Sequence, residues 1–206
     1  MNQPRRKVFC VGANKTGTTS IELLFKQLGL AVAPQGPAEM LLEDWGRRDF
    51  RALTEFCTGF DAFQDIPFSL PFTFQAMDQA FPGSKFILTV RNDAREWYES
   101  AVRFESMELG RLPRPEELKE NPYRYKGWLW RAHELPMAID ESTLHDADIY
   151  QRHYNRHNDS VVDYFSQRPD DLLVLNLAEP NGVERVCDFL GLARQQIPMP
   201  HLNRSR

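Results

Sequence analysis

A lysine, three threonines and two glycines lie close together near the N-terminus, in the segment KVFCVGANKTGTTSIELLFKQLGL, residues 7–30. The apolar run at residues 8–11 predicts a buried strand, and apolar residues at 21, 24, 25 and 28 predict an amphipathic helix. A strand that leads through a glycine-containing turn into a helix binds anions, because backbone N–H groups and the positive end of the helix dipole face the ligand. The segment therefore predicts a phosphate-binding loop.

The position of the lysine distinguishes this loop from a nucleoside-triphosphate loop. In a Walker A motif the lysine directly follows the second glycine. Here Gly12 and Gly17 keep the spacing of the two glycines, but Thr18 follows Gly17, and Lys15 comes two residues before it. The order disfavours a P-loop kinase that uses ATP and indicates a phosphate loop of a different type.

The order K-x-G-T-T resembles the 5′-phosphosulfate loop of sulfotransferases that depend on 3′-phosphoadenosine 5′-phosphosulfate (PAPS). A second stretch, GSKFILTVRNDAREWYES, contains a strand at residues 85–90, then Arg91, with Ser100 in the following helix. It resembles the 3′-phosphate site of that family, although the serine follows the arginine one residue later than in many members. Residues 171–192 resemble the late strand and helix of bacterial members, so the resemblance spans nearly the whole chain.

The resemblance implies an α/β fold related to the P-loop proteins, with a parallel sheet between two layers of helices. It implies PAPS as sulfuryl donor, its desulfated product PAP, and no metal. Lys15 would stabilise the charge that develops on the departing phosphate. The implied cofactor-binding residues are Asn14, Lys15, Thr16, Gly17, Thr18, Thr19, Ser20, Arg91 and Ser100. From the residues alone, Arg91 can also be read as a structural ion-pair partner and Ser100 as an exposed helix serine.

An acceptor hydroxyl or amine must lose a proton, which calls for a general base. Asp65 follows a strand-like segment and precedes Pro67, so we expect its carboxylate at the carboxyl edge of the sheet; capping a turn is its alternative role. His157, in the sequence YNRHN of a long late helix, is a competing base, with a solvated histidine as its alternative. His133 is a weaker candidate.

Composition narrows the class of protein. The chain has 206 residues, 42% of them hydrophobic, and a net charge of −4, which predict one domain over residues 1–206 and disfavour a nucleic-acid-binding protein. The three cysteines form no CxxC pair, so we expect neither a zinc site nor a disulfide framework. No segment approaches a membrane span, and the apolar run after Arg5 and Arg6 is too short for a signal peptide. We therefore expect a cytoplasmic protein.

Strand and helix patterns alternate along the chain, which predicts a parallel sheet with its ligand site at the carboxyl ends of the strands. We expect one or two helices in residues 37–60 and a helix over residues 69–81 that begins at Ser69. The helix after Arg91 should bury Trp97, Ala101 and Phe104. Asn181 should cap the last helix.

Residues 110–148 are rich in proline and lack a sheet pattern, which predicts a partly helical lid inserted into the domain. Aromatic residues of this lid could stack on a ligand or, as we favour, anchor the lid to the core; they are Tyr123, Tyr125, Trp128 and Trp130. The C-terminal Asn203, Arg204 and Arg206 are read as an exposed tail, with a role at the 3′-phosphate as the alternative.

The sequence thus favours a sulfotransferase that moves a sulfuryl group from PAPS to a hydroxyl or amine of a small-molecule, glycan or lipid acceptor. A kinase and a non-catalytic module that binds PAP or another nucleotide are the alternatives. The lid contains no motif that identifies the acceptor.

Overall fold

The computed structural model of the protein describes residues 6–194 and 197–200. Its centre is a parallel sheet with the order β2–β1–β3–β4. The strands are β1 (Val8–Cys10), β2 (Ala62–Phe63), β3 (Lys85–Val90) and β4 (Leu172–Asn176). Because all four strands run in the same direction, their carboxyl ends meet at one edge of the sheet, where ligands of open α/β sheets bind.

Both faces of the sheet are buried, as the continuous apolar strands predict. Phe9 of β1 packs with Phe63 and Phe86 on one face, in a cluster that also contains Phe165. Cys10 points to the other face and packs with Ile21, in a second cluster. The alternation of side chains along β1 therefore builds two separate cores.

Helices cover the two faces and complete three layers. In chain order the helices are α1 (Thr18–Gln27), α2 (Gln35–Glu39), α3 (Leu42–Gly46), α4 (Arg51–Cys57), α5 (Thr73–Ala80), α6 (Ala94–Ser106), α7 (Pro115–Glu120), α8 (Trp128–Met137), α9 (Ala147–Phe165) and α10 (Gly182–Leu190). Residues of α1 and α10 pack in the cluster that contains Cys10, whereas residues of α4, α5 and α9 pack in the cluster that contains Phe9. The predicted α/β fold with helices on both faces is confirmed.

Several predicted details differ from the structure. The helix expected to begin at Ser69 begins at Thr73, because residues 65–72 form a tight irregular turn in which Ser69 is buried and bonded to another loop. Phe104, expected in the core, is 48% exposed at the end of α6. Asn181 precedes α10 in a left-handed conformation and makes no side-chain cap bond. Residues 37–60 contain the end of α2 together with α3 and α4.

Residues 110–148 contain α7 and α8, and α8 with the loop before it is anchored to α2 and α3. The indole of Trp128 is 4% exposed and donates to the carbonyl of Glu39 at 2.8 Å. Arg131 donates to both carboxylate oxygens of Glu43, at 2.7 and 2.9 Å, and Arg124 is paired with the Glu39 carboxylate. This segment is therefore attached by buried aromatic rings and by acid–arginine pairs.

No helix within residues 6–194 and 197–200 combines the length and apolar character needed to cross a membrane. Asn203, Arg204 and Arg206 lie outside the described residues.

Candidate active site

The carboxyl ends of three neighbouring strands bring the predicted site residues together. The loop with Lys15 follows β1, Asp65 follows β2 on one side, and Arg91 follows β3 on the other side. The central strand therefore carries the anion-binding loop, and its two neighbours carry a carboxylate and a guanidinium.

The loop between β1 and α1 has the geometry of an anion cradle. Lys15 and Gly17 both adopt left-handed conformations, with φ of 69° and 105°. The φ of Gly17 is one that residues with a Cβ atom rarely adopt, and a Cβ atom there would also lie 2.2 Å from the Leu177 side chain, so the position favours glycine. Helix α1 begins at Thr18, and the first amides of a helix have no partner inside it. The turn therefore directs N–H groups and the positive end of α1 into the space above the loop.

The loop hydroxyls do not all face that space. Thr16 donates to the Ala13 carbonyl at 2.6 Å and lies 2.6 Å from the Thr89 hydroxyl on β3, so its side chain fixes the loop to the sheet. Thr18 donates to Asp65 at 3.0 Å. Ser20 is 3% exposed, whereas Thr19 is exposed. In this arrangement Thr19 is the loop hydroxyl open to a ligand.

The Lys15 side chain lies in a partly enclosed environment beside the loop. Its Nζ atom lies 3.1 Å from the centre of the Phe104 ring, a cation–π contact. Burial lowers the pKa of Lys15 below its ordinary value, and the carboxylates of Asp65, Glu105 and Glu39 oppose that shift. The lysine is therefore a partly desolvated cation surrounded by negative charge.

Asp65 is buried against the start of α1. One carboxylate oxygen accepts the Ile66 amide at 2.8 Å, and the other accepts the Thr18 hydroxyl at 3.0 Å. Burial raises the pKa of Asp65 above its ordinary value, while the Ile66 bond and the charge of Lys15 oppose the shift. A carboxylate with a raised pKa is a better proton acceptor than an exposed one.

Arg91 contacts the loop directly. Its Nε and Nη2 atoms donate to the Lys15 carbonyl at 2.9 and 2.7 Å. Its backbone amide donates to the Tyr154 hydroxyl at 2.9 Å, and its Nη1 atom lies 3.7 Å from Glu96. The sequence predicted Arg91 at the site but not its grip on the loop.

Helix α6 approaches the loop through Trp97, which the sequence treated only as a core residue. The indole donates to the Asn14 carbonyl at 2.7 Å, and Ser69 donates to the Asn14 side chain at 2.8 Å. Ser100 lies one helical turn from Trp97 and one from Phe104, both of which contact the loop. Its position on this face fits a ligand contact.

His157 is not placed as a base, and its expected role must be corrected. It is 2% exposed beneath the loop, and its Nε2 atom donates to the Val11 carbonyl at 2.7 Å. Burial lowers the pKa of His157, so the ring is neutral with its proton on Nε2. Helix α9 packs against the sheet at this point, and the hydrogen bond from His157 to the Val11 carbonyl fixes the junction between β1 and the loop.

A polar cluster beside Lys15 was missed by the sequence analysis. Glu105 lies 2.7 Å from Nε2 of His145 and 3.8 Å from Nε2 of His133, whose Nδ1 atom lies 2.9 Å from the Tyr150 hydroxyl. Burial alone would raise the pKa of Glu105, but the two histidines and Lys15 lower it. No group of three or more histidine, cysteine, aspartate or glutamate residues in the described ranges could hold a metal ion.

Comparison with known proteins identifies the family of the chain. The profile of the sulfotransferase domain family matches residues 7–206, nearly the full length of the chain. A search of curated proteins found no match. The chain belongs to the sulfotransferase domain family.

Proposed function

We propose that this protein transfers a sulfuryl group from PAPS to a hydroxyl or amine of a small-molecule, glycan or lipid acceptor. The observation that carries the proposal is the meeting of Lys15, Asp65 and Arg91 around one anion-binding loop. The family supports sulfuryl transfer in general, whereas the donor and the acceptor class are our inference.

The residues around the loop fit a nucleotide with phosphates at both ends of its ribose. The loop amides and Thr19 would hold the 5′-phosphate, with Gly17 leaving room for the turn. Arg91, whose side chain is 32% exposed, has donors directed away from the loop that would meet the 3′-phosphate together with Ser100. Planar guanidinium donors suit phosphate oxygens.

When bound, PAPS supplies a sulfuryl group attached to a phosphate leaving group. Lys15 would leave the Phe104 ring and place its charge on the bridging oxygen, where negative charge grows in the transition state. Asp65 would take the proton that the acceptor releases, because its carboxylate is buried, has a raised pKa and adjoins the loop. His157 has no part in this proton transfer.

Residues 110–148 are the candidate segment for binding the acceptor. His133 of α8 and His145 adjoin Glu105, and Glu105 acts electrostatically on Lys15, so this segment forms one wall near the reacting groups. We propose that the segment binds the acceptor. The cysteines Cys10, Cys57 and Cys187 are free and buried, which supports a location in a reducing compartment such as the cytoplasm.

Thermal unfolding in the presence of nucleotides tests the donor. Without Mg²⁺, PAP should raise the melting temperature more than AMP, ADP or ATP at equal concentration, because a ligand that binds the folded state more tightly stabilises it more. AMP differs from PAP only by the 3′-phosphate, so the difference between PAP and AMP isolates that group.

Equal stabilisation by PAP and AMP would mean that no residue recognises the 3′-phosphate. A stronger effect of ATP that requires Mg²⁺ would favour the kinase alternative. Binding of PAP without sulfuryl transfer to any hydroxyl or amine tested would favour a non-catalytic module.

A further inference from the structure

Arg91 uses only one edge of its guanidinium on the loop. A guanidinium is a rigid planar group with five N–H donors, so its side edge and its tip can serve two acceptors at once. The side edge, formed by Nε and Nη2, donates to the Lys15 carbonyl at 2.9 and 2.7 Å. At the tip, Nη1 faces Glu96 at 3.7 Å, longer than a hydrogen bond.

The carbonyl held by Arg91 belongs to a strained residue. Lys15 is not a glycine, yet its φ is 69°, and left-handed backbone is unfavourable for residues with a Cβ atom. Such a conformation persists only where its surroundings fix it. The two donors of Arg91 act on the Lys15 peptide itself, and the neighbouring Asn14 carbonyl is held by Trp97.

Arg91 is in turn fixed by the fold. Its amide is bonded to the Tyr154 hydroxyl of α9, and the Tyr154 ring stacks on Trp97 with ring centres 4.8 Å apart. The guanidinium therefore extends from a defined point at the end of β3 to the loop that follows β1. A displacement of Arg91 would be transmitted to the direction in which the Lys15 side chain leaves the loop.

We propose that Arg91 is the positioning residue for Lys15, in addition to meeting the 3′-phosphate with its tip. One guanidinium then joins recognition of the 3′ end of the donor to placement of the lysine at the 5′ end. The contact between Arg91 and the 3′-phosphate rests on the proposed function, whereas the hydrogen bonds from Arg91 to the Lys15 carbonyl do not. Arg91 should consequently affect turnover even with a donor that has no 3′-phosphate.

Adenosine 5′-phosphosulfate, which lacks the 3′-phosphate, separates the two roles. A residue that only binds the 3′-phosphate leaves the reaction of this donor unchanged when it is removed. A positioning residue lowers kcat for this donor, with little change in KM, because Lys15 is misplaced in the transition state. We expect Arg91→Ala to lower kcat by about 10–100-fold, the scale of a small misplacement of a catalytic group.

Arg91→Lys gives a second measurement. A lysine keeps a positive charge for the 3′-phosphate but cannot form the two-donor fork on the Lys15 carbonyl. It should retain much of the affinity for PAP while kcat stays low. Arg95→Ala is the matched control, because Arg95 is 80% exposed on α6 and is paired with Glu99.

Hydrogen exchange of the protein without ligand tests the grip independently of the reaction. The hydrogen-bonded amides of the loop and of the start of α1, those of Thr16 and Ser20, should exchange about 10-fold faster in Arg91→Ala and Arg91→Lys, as for loss of a charge-assisted hydrogen bond, and at the wild-type rate in Arg95→Ala. Unchanged loop exchange in both Arg91 variants would overturn the proposal, as would unchanged kcat with adenosine 5′-phosphosulfate. If the wild type neither binds PAP nor transfers sulfuryl groups, the proposed function fails, and loop exchange still decides whether Arg91 holds Lys15.

Discussion

The Nζ atom of Lys15 lies over an aromatic ring, 3.1 Å from the centre of Phe104. The ring and the carboxylates offset part of the cost of burying the Lys15 cation, although burial still lowers its pKa. Binding of an anionic donor must exchange those contacts for phosphate oxygens. In the proposed reaction, Lys15 would favour the transition state to the extent that the leaving-group oxygen is more negative than the present partners of the lysine.

Replacing Lys15 with Met should lower turnover by about 10²–10³, the range seen when one transition-state donor is removed. Affinity for PAP should fall much less, because the loop amides and Thr19 remain. Lys15→Arg should rescue turnover only in part, since a broader guanidinium cannot occupy the same point. Sulfuryl transfer and PAP binding are measured on each variant.

Lys26→Ala is the control for Lys15, because Lys26 lies at the far end of α1 and its side chain is 56% exposed. Near-normal transfer by the Lys15→Met protein would contradict the role of Lys15 at the leaving group.

Asp65→Asn should lower turnover and yet leave the protein as stable as the wild type or more so, by about 1 kcal/mol. Burial raises the pKa of Asp65, so at neutral pH its charged form opposes folding, and a neutral amide removes that cost. Asparagine also tolerates the left-handed backbone at this position, where φ is 63°. Urea unfolding and transfer assays measure the two effects.

Asp78→Asn is the matched comparison. Asp78 is also buried, but Arg168 and Tyr164 hold its pKa below the ordinary value despite burial. This variant should lose about 2 kcal/mol of stability because charge-assisted bonds are broken. Similar losses for both variants would show that Asp65 is a structural carboxylate.

At the residue scale, the sequence correctly located those site residues that directly follow a strand. Lys15, Asp65 and Arg91 meet because β1, β2 and β3 are adjacent and parallel. His157 was misjudged because a polar helix sequence does not reveal which side of α9 faces the sheet. Glu105, His133 and His145 could not be grouped in advance, since their contact depends on how α8 and the segment before α9 fold back onto α6.

At the element scale, the close packing of the β1 end against β3 determines where the loop begins. A Cβ atom at Gly12 would lie 2.4 Å from the Thr89 carbonyl and 2.1 Å from its hydroxyl oxygen. Thr89 in turn contacts the Thr16 hydroxyl at 2.6 Å. The first glycine of the motif is therefore required by strand packing rather than by the ligand.

Gly12→Ala should destabilise the protein by about 3 kcal/mol, because the added methyl group must push β3 or the loop aside. Gly59→Ala is the control: its Cβ would have no heavy atom within 4 Å, and we expect a change within about 0.5 kcal/mol. Denaturant unfolding measures both variants. A Gly12→Ala protein of wild-type stability would mean that the loop and β3 can separate at little cost.

The start of a helix is predictable from the sequence where a neighbouring residue caps it. Asp93 caps α6 by accepting the Glu96 amide at 2.7 Å, a local bond between residues three apart. The start of α5 was not predictable, because Ser69 is drawn to Asn14, a contact across 55 positions of the chain. The attachment of α8 to α2 and α3 is equally non-local, so aromatic content alone could not locate it.

At the scale of the whole molecule, three histidines connect stability to pH. Burial lowers the pKa of His133 and His157, and lowers that of His153 to about 4. In the unfolded chain each would titrate near its ordinary pKa of about 6.5. The unfolded state then binds more protons than the folded state below that pH, so acidification favours unfolding.

We expect the free energy of unfolding to fall as the pH decreases from about 7 to about 5, by up to about 1.4 kcal/mol per pH unit for each such histidine. Asp65 and Glu39, whose pKa values are raised by burial, act in the opposite direction as they take up protons. Urea unfolding at several pH values measures the slope. His157→Gln should reduce the slope, because an amide can donate to the Val11 carbonyl without titrating; a flat profile in the wild type would contradict the assignment.

The stacked pair of Trp97 and Tyr154 also has an evolutionary consequence. Trp97 holds the Asn14 carbonyl, Tyr154 holds the Arg91 amide, and Arg91 holds Lys15, so these side chains form a closed circuit around the loop. Replacement of one member leaves the partners of the others without support, which selection would act against. Divergence among relatives should therefore proceed by paired changes at positions 97 and 154, and the residue types at these two positions should co-vary even where the segment proposed to bind the acceptor, residues 110–148, differs.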